Sequence, residues 1–219
     1  MNSIKKNSLL LIVLFCLSQV CNAQPSLKTG WDRIYVKDIG TFDLPPTMEV
    51  QKGKYKEYID KSRGIIGLDA TQITAQQIGL NEFGKVSFEK YARVMIETYF
   101  GQFGDYEKLN FDISLYKPTE VDELNNIYKQ QFQNSIVNTN LKIIEWYPLK
   151  IEKINGMSCI HISYKRQAQN NPYVLVHKYY FHNNDRMYDF TLSYRISEME
   201  YWKSDFEKIL SSFVITNIK

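Results

Sequence analysis

The sequence predicts an α+β domain, with a central, mainly antiparallel sheet whose C-terminal part is a four-stranded meander, flanked by about three helices. Two observations carry this reading. Between residues 141 and 196, four runs of alternating polarity are separated by turn residues. Elsewhere, three stretches place apolar residues at helical spacing. No internal repeat, Pro-rich linker or charge block marks a second domain. With 44% hydrophobic and 23% charged residues, the composition is that of a folded domain rather than a low-complexity or disordered chain.

Residues 1–23 read as a secretory signal peptide. Lys5 and Lys6 form a basic start, the nine apolar residues Leu9–Leu17 follow, and Cys21 and Ala23 supply small residues before Gln24. Nine residues span about 14 Å as a helix, against a hydrocarbon core of about 30 Å, so a membrane anchor fits poorly. A lipoprotein reading also fits poorly, because Gln19-Val20 and Leu14-Phe15 precede the two leader cysteines where small residues are needed. Cleavage removes 23 of 219 residues and leaves one domain, 24–219, of 196 residues. It also removes two of 27 basic residues, leaving 25 against 24 acids. So balanced a charge, with bases scattered among acids, argues against nucleic acid as a partner. The expected location is periplasmic or extracellular, with no membrane span in the mature chain.

Of three cysteines only Cys159 outlasts the leader, so the mature monomer has no intrachain disulfide and its stability comes from the core. Cys159 itself reads as a half-buried strand residue.

Trp31–Lys52 reads as strands broken at Pro45-Pro46, and TQITAQQI (71–78) as a further strand. The first helix is expected from Ser87, a good N-cap, to Gly101, with Phe88, Tyr91, Ala92, Met95, Ile96, Tyr99 and Phe100 as its stripe. LNFDISL (109–115) alternates as a strand. A second helix follows Pro118 with Thr119 as cap, its stripe running from Val121 to Ile136. A third opens at Ser197 with Glu200 in capping-box spacing and an inner face of Tyr201, Trp202, Phe206, Ile209, Leu210 and Phe213.

The meander strands are expected at 141–153, 157–167, 173–182 and 186–196. Asn155-Gly156 is a strong hairpin signal, because both turn positions need positive φ, and it sets Ile154 opposite Met157 and Ile151 opposite Ile160. Extended, that pairing puts Leu149 opposite Ile162 and Tyr147 opposite Tyr164. Setting Gln167 opposite Tyr173 and His182 opposite Arg186 sorts the faces. Ile160, Ile162, Tyr164, Val176, Tyr180, Tyr188, Phe190, Leu192 and Tyr194 gather on a core face, with Lys178 and Glu145 as exceptions. The polar face gathers Cys159, His161, His177, Tyr179, Asp189, Thr191 and Arg195, with Trp146 as its aromatic exception.

No phosphate-cradling, zinc-binding, redox or nucleophile-elbow motif is present, so no catalytic residue, cofactor or metal ligand is assigned. His177 and His182, five apart in one strand, point to opposite faces and cannot chelate together. His161 and His177 fall on one face as diagonal neighbours. With Asp189, Thr191 and Arg195 they make a candidate ligand-binding set, a switchable charge among hydrogen-bonding groups.

Two stretches resemble a known family. IGTFDLPPTMEVQKG resembles the opening of PsbP/MOG1-like domains, and SEMEYWKSDFEKILSSFVI resembles their close. The resemblance implies an α/β/α sandwich around an antiparallel sheet. It also implies a binding or assembly role, as in photosystem accessory subunits, a small-GTPase regulator and DcrB-like envelope proteins. No catalytic residue carries over, because Phe42, Leu44, Pro45, Ile209, Leu210 and Phe213 are packing residues in type. Two readings follow. The first is an exported, non-enzymatic binding or assembly-accessory protein with another envelope protein as partner. The second is a ligand-binding or hydrolytic enzyme using the His161, His177 and Asp189 face.

Overall fold

The computed structural model describes residues 24–52, 72–80, 90–110, 112–216 and 218. The expected leader (1–23), the polar stretch 53–67 and the expected helix cap Ser87 lie outside the described residues.

Eleven strands and two α-helices follow in chain order among the described residues: β1 Asp32–Val36, β2 Gly40–Leu44, β3 Met48–Val50, β4 Gln72–Gln77, β5 Ala92–Phe100, α1 Pro118–Ile136, β6 Leu141–Trp146, β7 Lys150–Ile154, β8 Met157–Ala168, β9 Val174–His182, β10 Arg186–Arg195, α2 Met199–Ser212 and β11 Val214–Ile215. Eight strands build one sheet, ordered β3-β4-β5-β10-β9-β8-β6 with β7 also pairing β8, and β1-β2-β11 form a small second sheet. All these pairings are antiparallel.

Both faces of the large sheet are covered. On one face, Tyr188, Phe190, Leu192, Tyr194, Tyr179 and Phe181 join Trp202, Phe206, Ile209 and Phe213 around α2, and Phe42 of β2 and Ile39 of the β1–β2 turn add to this main core. On the other, Ile151, Ile160, Ile162 and Tyr180 form a smaller cluster beneath α1, with Tyr128, Leu124 and Trp146 packed on it.

The α2 side is tightly tied. Ser212 Oγ donates to the Ile209 carbonyl at 2.7 Å and accepts the Asp43 amide at 2.8 Å, joining the helix to β2. Asn155 does two jobs. Its φ of 48°, with 80° at Gly156, makes the two-residue β7–β8 turn. Its side-chain amide donates to the carbonyls of Ser211 and Phe213, satisfying acceptors that the end of α2 leaves open. Gly40 is equally constrained, because a Cβ there would run into the Val214 carbonyl of β11.

Several expectations are corrected. Residues 92–100 form a strand in place of the first helix. Ala92, Val94, Ile96 and Thr98 are buried in strict alternation, and pairing to β4 and β10 satisfies both edges of the strand. Because the outward residues Met95 and Tyr99 are also apolar, the same sequence satisfies helical spacing. In place of the expected strand 109–115, the described residues 109–110 and 112–115 form no strand, and Ile113–Leu115 is a 3-10 turn. α1 is capped at Lys117, whose amide donates to Glu120 at 2.9 Å, with Pro118 rather than Thr119 opening the helix. The stripe residues Ile127 and Ser135 are exposed. α2 starts at Met199 after a 3-10 turn at Ile196–Glu198, without the Ser197–Glu200 box, and Tyr201 points to solvent.

The single strand expected over 141–153 divides into β6 and β7. Pro148 interrupts the ladder, and a register irregularity between Ile143 and Glu145 sets Trp146, not Tyr147, opposite Tyr164. Trp146 therefore stacks on Tyr164 under α1, with ring centroids 5.7 Å apart.

The consequential correction concerns β9 and β10. The β8–β9 register is as expected, His161 opposite Tyr179. The β9–β10 register is shifted by one residue: Met187, not Arg186, faces His182. The Asn183 amide bonds to the Arg186 carbonyl at 2.9 Å, which leaves a two-residue turn, Asn184-Asp185, with Asn184 at φ 62°. A three-residue turn at 183–185 would have given the expected faces. The shorter one turns Tyr188, Phe190, Leu192 and Tyr194 to the α2 side and Asp189, Thr191, Ser193 and Arg195 to the α1 side.

Phe190 is fully buried, edge-on to Phe42 and 4.6 Å from Phe213. Phe190→Ala should lower stability by about 3–5 kcal/mol in urea denaturation. A loss below about 1 kcal/mol would contradict this placement.

Candidate functional site

The structure divides the sequence-predicted site residues between two faces. His161 and His177 share the α2-side face. Asp189, Thr191 and Arg195 lie on the other, for the register reason above, so they cannot orient either histidine.

The two imidazoles are in contact. His161 Nε2 and His177 Nδ1 are 3.0 Å apart, and His161 Nδ1 lies 3.2 Å from Glu152 Oε1. His161 stacks on Tyr179 at 4.3 Å. The adjacent His161 ring holds the Glu152 carboxyl below its ordinary value. Burial, helped by His161, pushes His177 down to about 4. Nearby Cys159 is buried, and desolvation raises its thiol to about 12. Near neutral pH this face thus holds a neutral His177 and a protonated thiol, packed among aromatic rings. Neither imidazole lines either of the two cavities described below. Nor does any group of three His, Cys, Asp or Glu among the described residues stand in place to hold a metal ion.

The α1 face is different. β9 and β10 carry a buried ion pair: Lys178 Nζ lies 2.7 Å from Asp189 Oδ2. Lys178 also donates to Thr191 Oγ1 at 2.9 Å, and Thr191 donates in turn to Asp189 Oδ1 at 2.7 Å. Burial disfavours the ammonium, but attraction to Asp189 outweighs it and holds Lys178 above its ordinary pKa. Phe132 of α1 and Tyr180 of β9 cover the ammonium, 5.6 and 5.7 Å from their ring centres.

α1 rests on this face without burying one of its own residues. It is held at points. Asn125 Oδ1 accepts from Trp146 Nε1 at 2.9 Å and from the Leu149 amide at 3.1 Å. Tyr128 stacks on Tyr180, and Phe132 leans on Trp146 and Tyr164. Beside Phe132 lie two cavities. One, of about 280 Å³, lies between Tyr128, Gln131, Tyr180 and Met187. The other, of about 210 Å³, is floored by Val176, Lys178 and Thr191, walled by Ile136 and Ile143, and closed at one end by Tyr91, Arg93, Arg166 and Ser193. There Arg166 Nη2 donates to the Tyr91 hydroxyl at 3.2 Å, and Ser193 Oγ lies 3.4 Å from it.

Sequence reasoning did not find this groove. Its one visible signal was Lys178, a charge interrupting the apolar run of β9. Tyr91 and Arg93 were assigned to a helix, which hid their place beside Ser193.

No family model matches the chain, and no curated protein is similar to it. Among solved structures, the chain is similar to cyanobacterial PsbP (CyanoP) from Synechocystis sp. PCC 6803, with a TM-score of 0.49 and 15% identity over 87% of this chain and 98% of that one. It is also similar to protein PA94 of unknown function from Pseudomonas aeruginosa, with a TM-score of 0.37 and 7% identity over 84% and 96% of the two chains. Similarity at this level concerns the fold alone; no ligand, partner or activity is carried over from either protein.

Lys178→Met strands a buried carboxylate and should cost about 3–5 kcal/mol, whereas Lys178→Met with Asp189→Leu should come within about 1 kcal/mol of the parent in urea denaturation. Equal losses in the single and double variants would refute a self-contained pair. Thr191→Ala, which breaks both hydrogen bonds of the linking hydroxyl, should cost about 1.5–3 kcal/mol rather than behave as a tolerant surface change.

His177 gives a pH dependence of known sign. Its pKa is about 4 folded against about 6.5 unfolded, so only the unfolded chain takes up the proton between those values. Its contribution is complete above pH 6.5 and is lost as pH falls toward 4, by about 2–3 kcal/mol. His177→Phe should flatten this part of the stability curve, read from urea midpoints at pH 7 and pH 4.5. An unchanged slope would contradict the assignment.

Proposed function

We propose that the mature protein is an exported, non-catalytic binding domain of the cell envelope, and that its binding face is the groove beneath α1. The observation that carries this is a 19-residue helix spread over the sheet with no buried residue of its own and a cavity on each side of Phe132. A helix that served only to close a core would bury its stripe, as α2 does with Trp202, Phe206 and Ile209.

The export half rests on the leader pattern of residues 1–23. The non-catalytic half rests on the state of the reactive side chains. The Cys159 thiol is buried and protonated, His177 is neutral, and Lys178 is charged and committed to Asp189. Asp189 cannot serve the rival enzyme as its acid, because it lies across the sheet from both histidines, and the carboxylate beside His161 is Glu152 instead. The sequence resemblance to PsbP/MOG1-like and DcrB-like proteins points to a binding or assembly role, although the residues that carry it, such as Phe42, Leu44, Ile209 and Phe213, are core residues here. Among the described residues no helix is long and apolar enough to cross a membrane.

Fractionation and intact mass test the export half: the product should leave the cytoplasm and begin at Gln24. A retained leader, or a diacylglyceryl mass on Cys21, would overturn it. Native mass spectrometry of the protein released gently from the envelope tests the binding half. A bound species should be present, and Phe132→Glu should remove it. A chain that carries nothing, or a species kept by the variant, would overturn it.

A further inference from the structure

We infer that the cavity on the Arg93 side of Phe132 is a binding site for a small carboxylate with an apolar body. This deepens, and rests on, the groove reading above. Its charge is unbalanced at one end. Lys178 is neutralised by Asp189, but among the described residues Arg93 and Arg166 pair with no carboxylate, and both line the cavity. Arg93 lies over the Tyr91 ring at 5.7 Å, while its Nε is shut off from solvent with no hydrogen-bond partner. A buried donor without an acceptor is costly, and the acceptor that suits a guanidinium edge is a planar carboxylate taking two parallel N–H bonds.

β pairing places this end. Arg93 sits opposite Ser193 across β5 and β10, and Arg166 reaches in from β8 to the Tyr91 hydroxyl. Two cations and two hydroxyls therefore meet at one end. The rest of the wall is apolar, from Met95, Phe132, Ile136, Ile143 and Val176. A free inorganic anion would leave that wall empty, and a neutral apolar molecule would leave Arg93 unanswered. Size sets the scale. An apolar cavity of about 150 Å³ takes up benzene, so about 210 Å³ suits a medium-chain or single-ring acid.

Isothermal titration calorimetry on the mature chain, 24–219, tests this with three probes: octanoate, octanamide and acetate. Octanoate should bind one to one, with octanamide and acetate each at least about tenfold weaker. Arg93→Gln and Arg166→Gln should each weaken octanoate at least about tenfold and leave octanamide unchanged. Melting temperatures of the free variants report folding. If Arg93→Gln fails to fold, Arg166→Gln and the acid-to-amide ratio on the parent decide the matter. Octanamide binding as tightly as octanoate would overturn the carboxylate assignment and leave the groove standing. Acetate matching octanoate would reduce the site to an unspecific anion contact and overturn the apolar half. Absence of binding by every probe would overturn the inference, and the envelope-derived species above would then decide separately whether the groove binds anything.

Discussion

One ion pair holds the register on which the two faces of the sheet depend. Lys178 and Asp189 are both nine-tenths or more out of water and meet at 2.7 Å, diagonally across β9 and β10 with Thr191 between them. Moving β10 by one residue would send Asp189 into the aromatic core around Phe213 and leave Lys178 alone beneath Phe132. Either stranded charge costs several kcal/mol. The same slip would bring Phe190 and Tyr188 out of the main core. Electrostatics and packing therefore select one register together, and the triad contributes more to specifying the fold than to its net stability.

Given that register, the two faces acquire different characters. The α2 face is closed by rings in contact, by Ser212 joined to β2 and by Asn155 reaching from the β7–β8 turn to the end of the helix. The α1 face carries the charged triad and two further arginines, which a helix of ordinary amphipathicity cannot bury. α1 therefore attaches through Asn125, Tyr128 and Phe132 and spans the space between. The cavity on the Arg93 side of Phe132 is lined by all three of these cations, Lys178, Arg93 and Arg166.

How much of this was legible in the sequence depends on how local each signal is. Asn155-Gly156 names its own turn, so the pairing beside it, Ile154 with Met157 and Ile151 with Ile160, could be read directly, as could the β8–β9 register. The helical stripes of α1 and α2 were legible because their polar faces are clearly polar. β5 was not, because a strand apolar on both sides carries no period-2 contrast, and its apolar residues also fall at helical intervals. The Asn184-Asp185 turn was hidden by Asn183, which extends the run of turn-forming residues and disguises a two-residue loop as three.

These two misreadings account for the fate of the candidate site. His161 and His177 come together because both depend only on the β8–β9 register. Asp189, Thr191 and Arg195 moved to the other face with β10, and Arg93 had no visible place while β5 was read as a helix. The one residue that pointed to the groove was Lys178, set aside as an exception to an apolar pattern. A lone charge in a buried strand has to be paired, and its partner must lie on an adjacent strand within hydrogen-bonding reach. Asp189 is the acid on β10 that can meet it, provided the strands shift by one residue and turn Tyr188, Phe190, Leu192 and Tyr194 toward α2. Requiring a counter-ion for Lys178 would have selected the observed register over the turn-based one, and with it the face on which the groove lies.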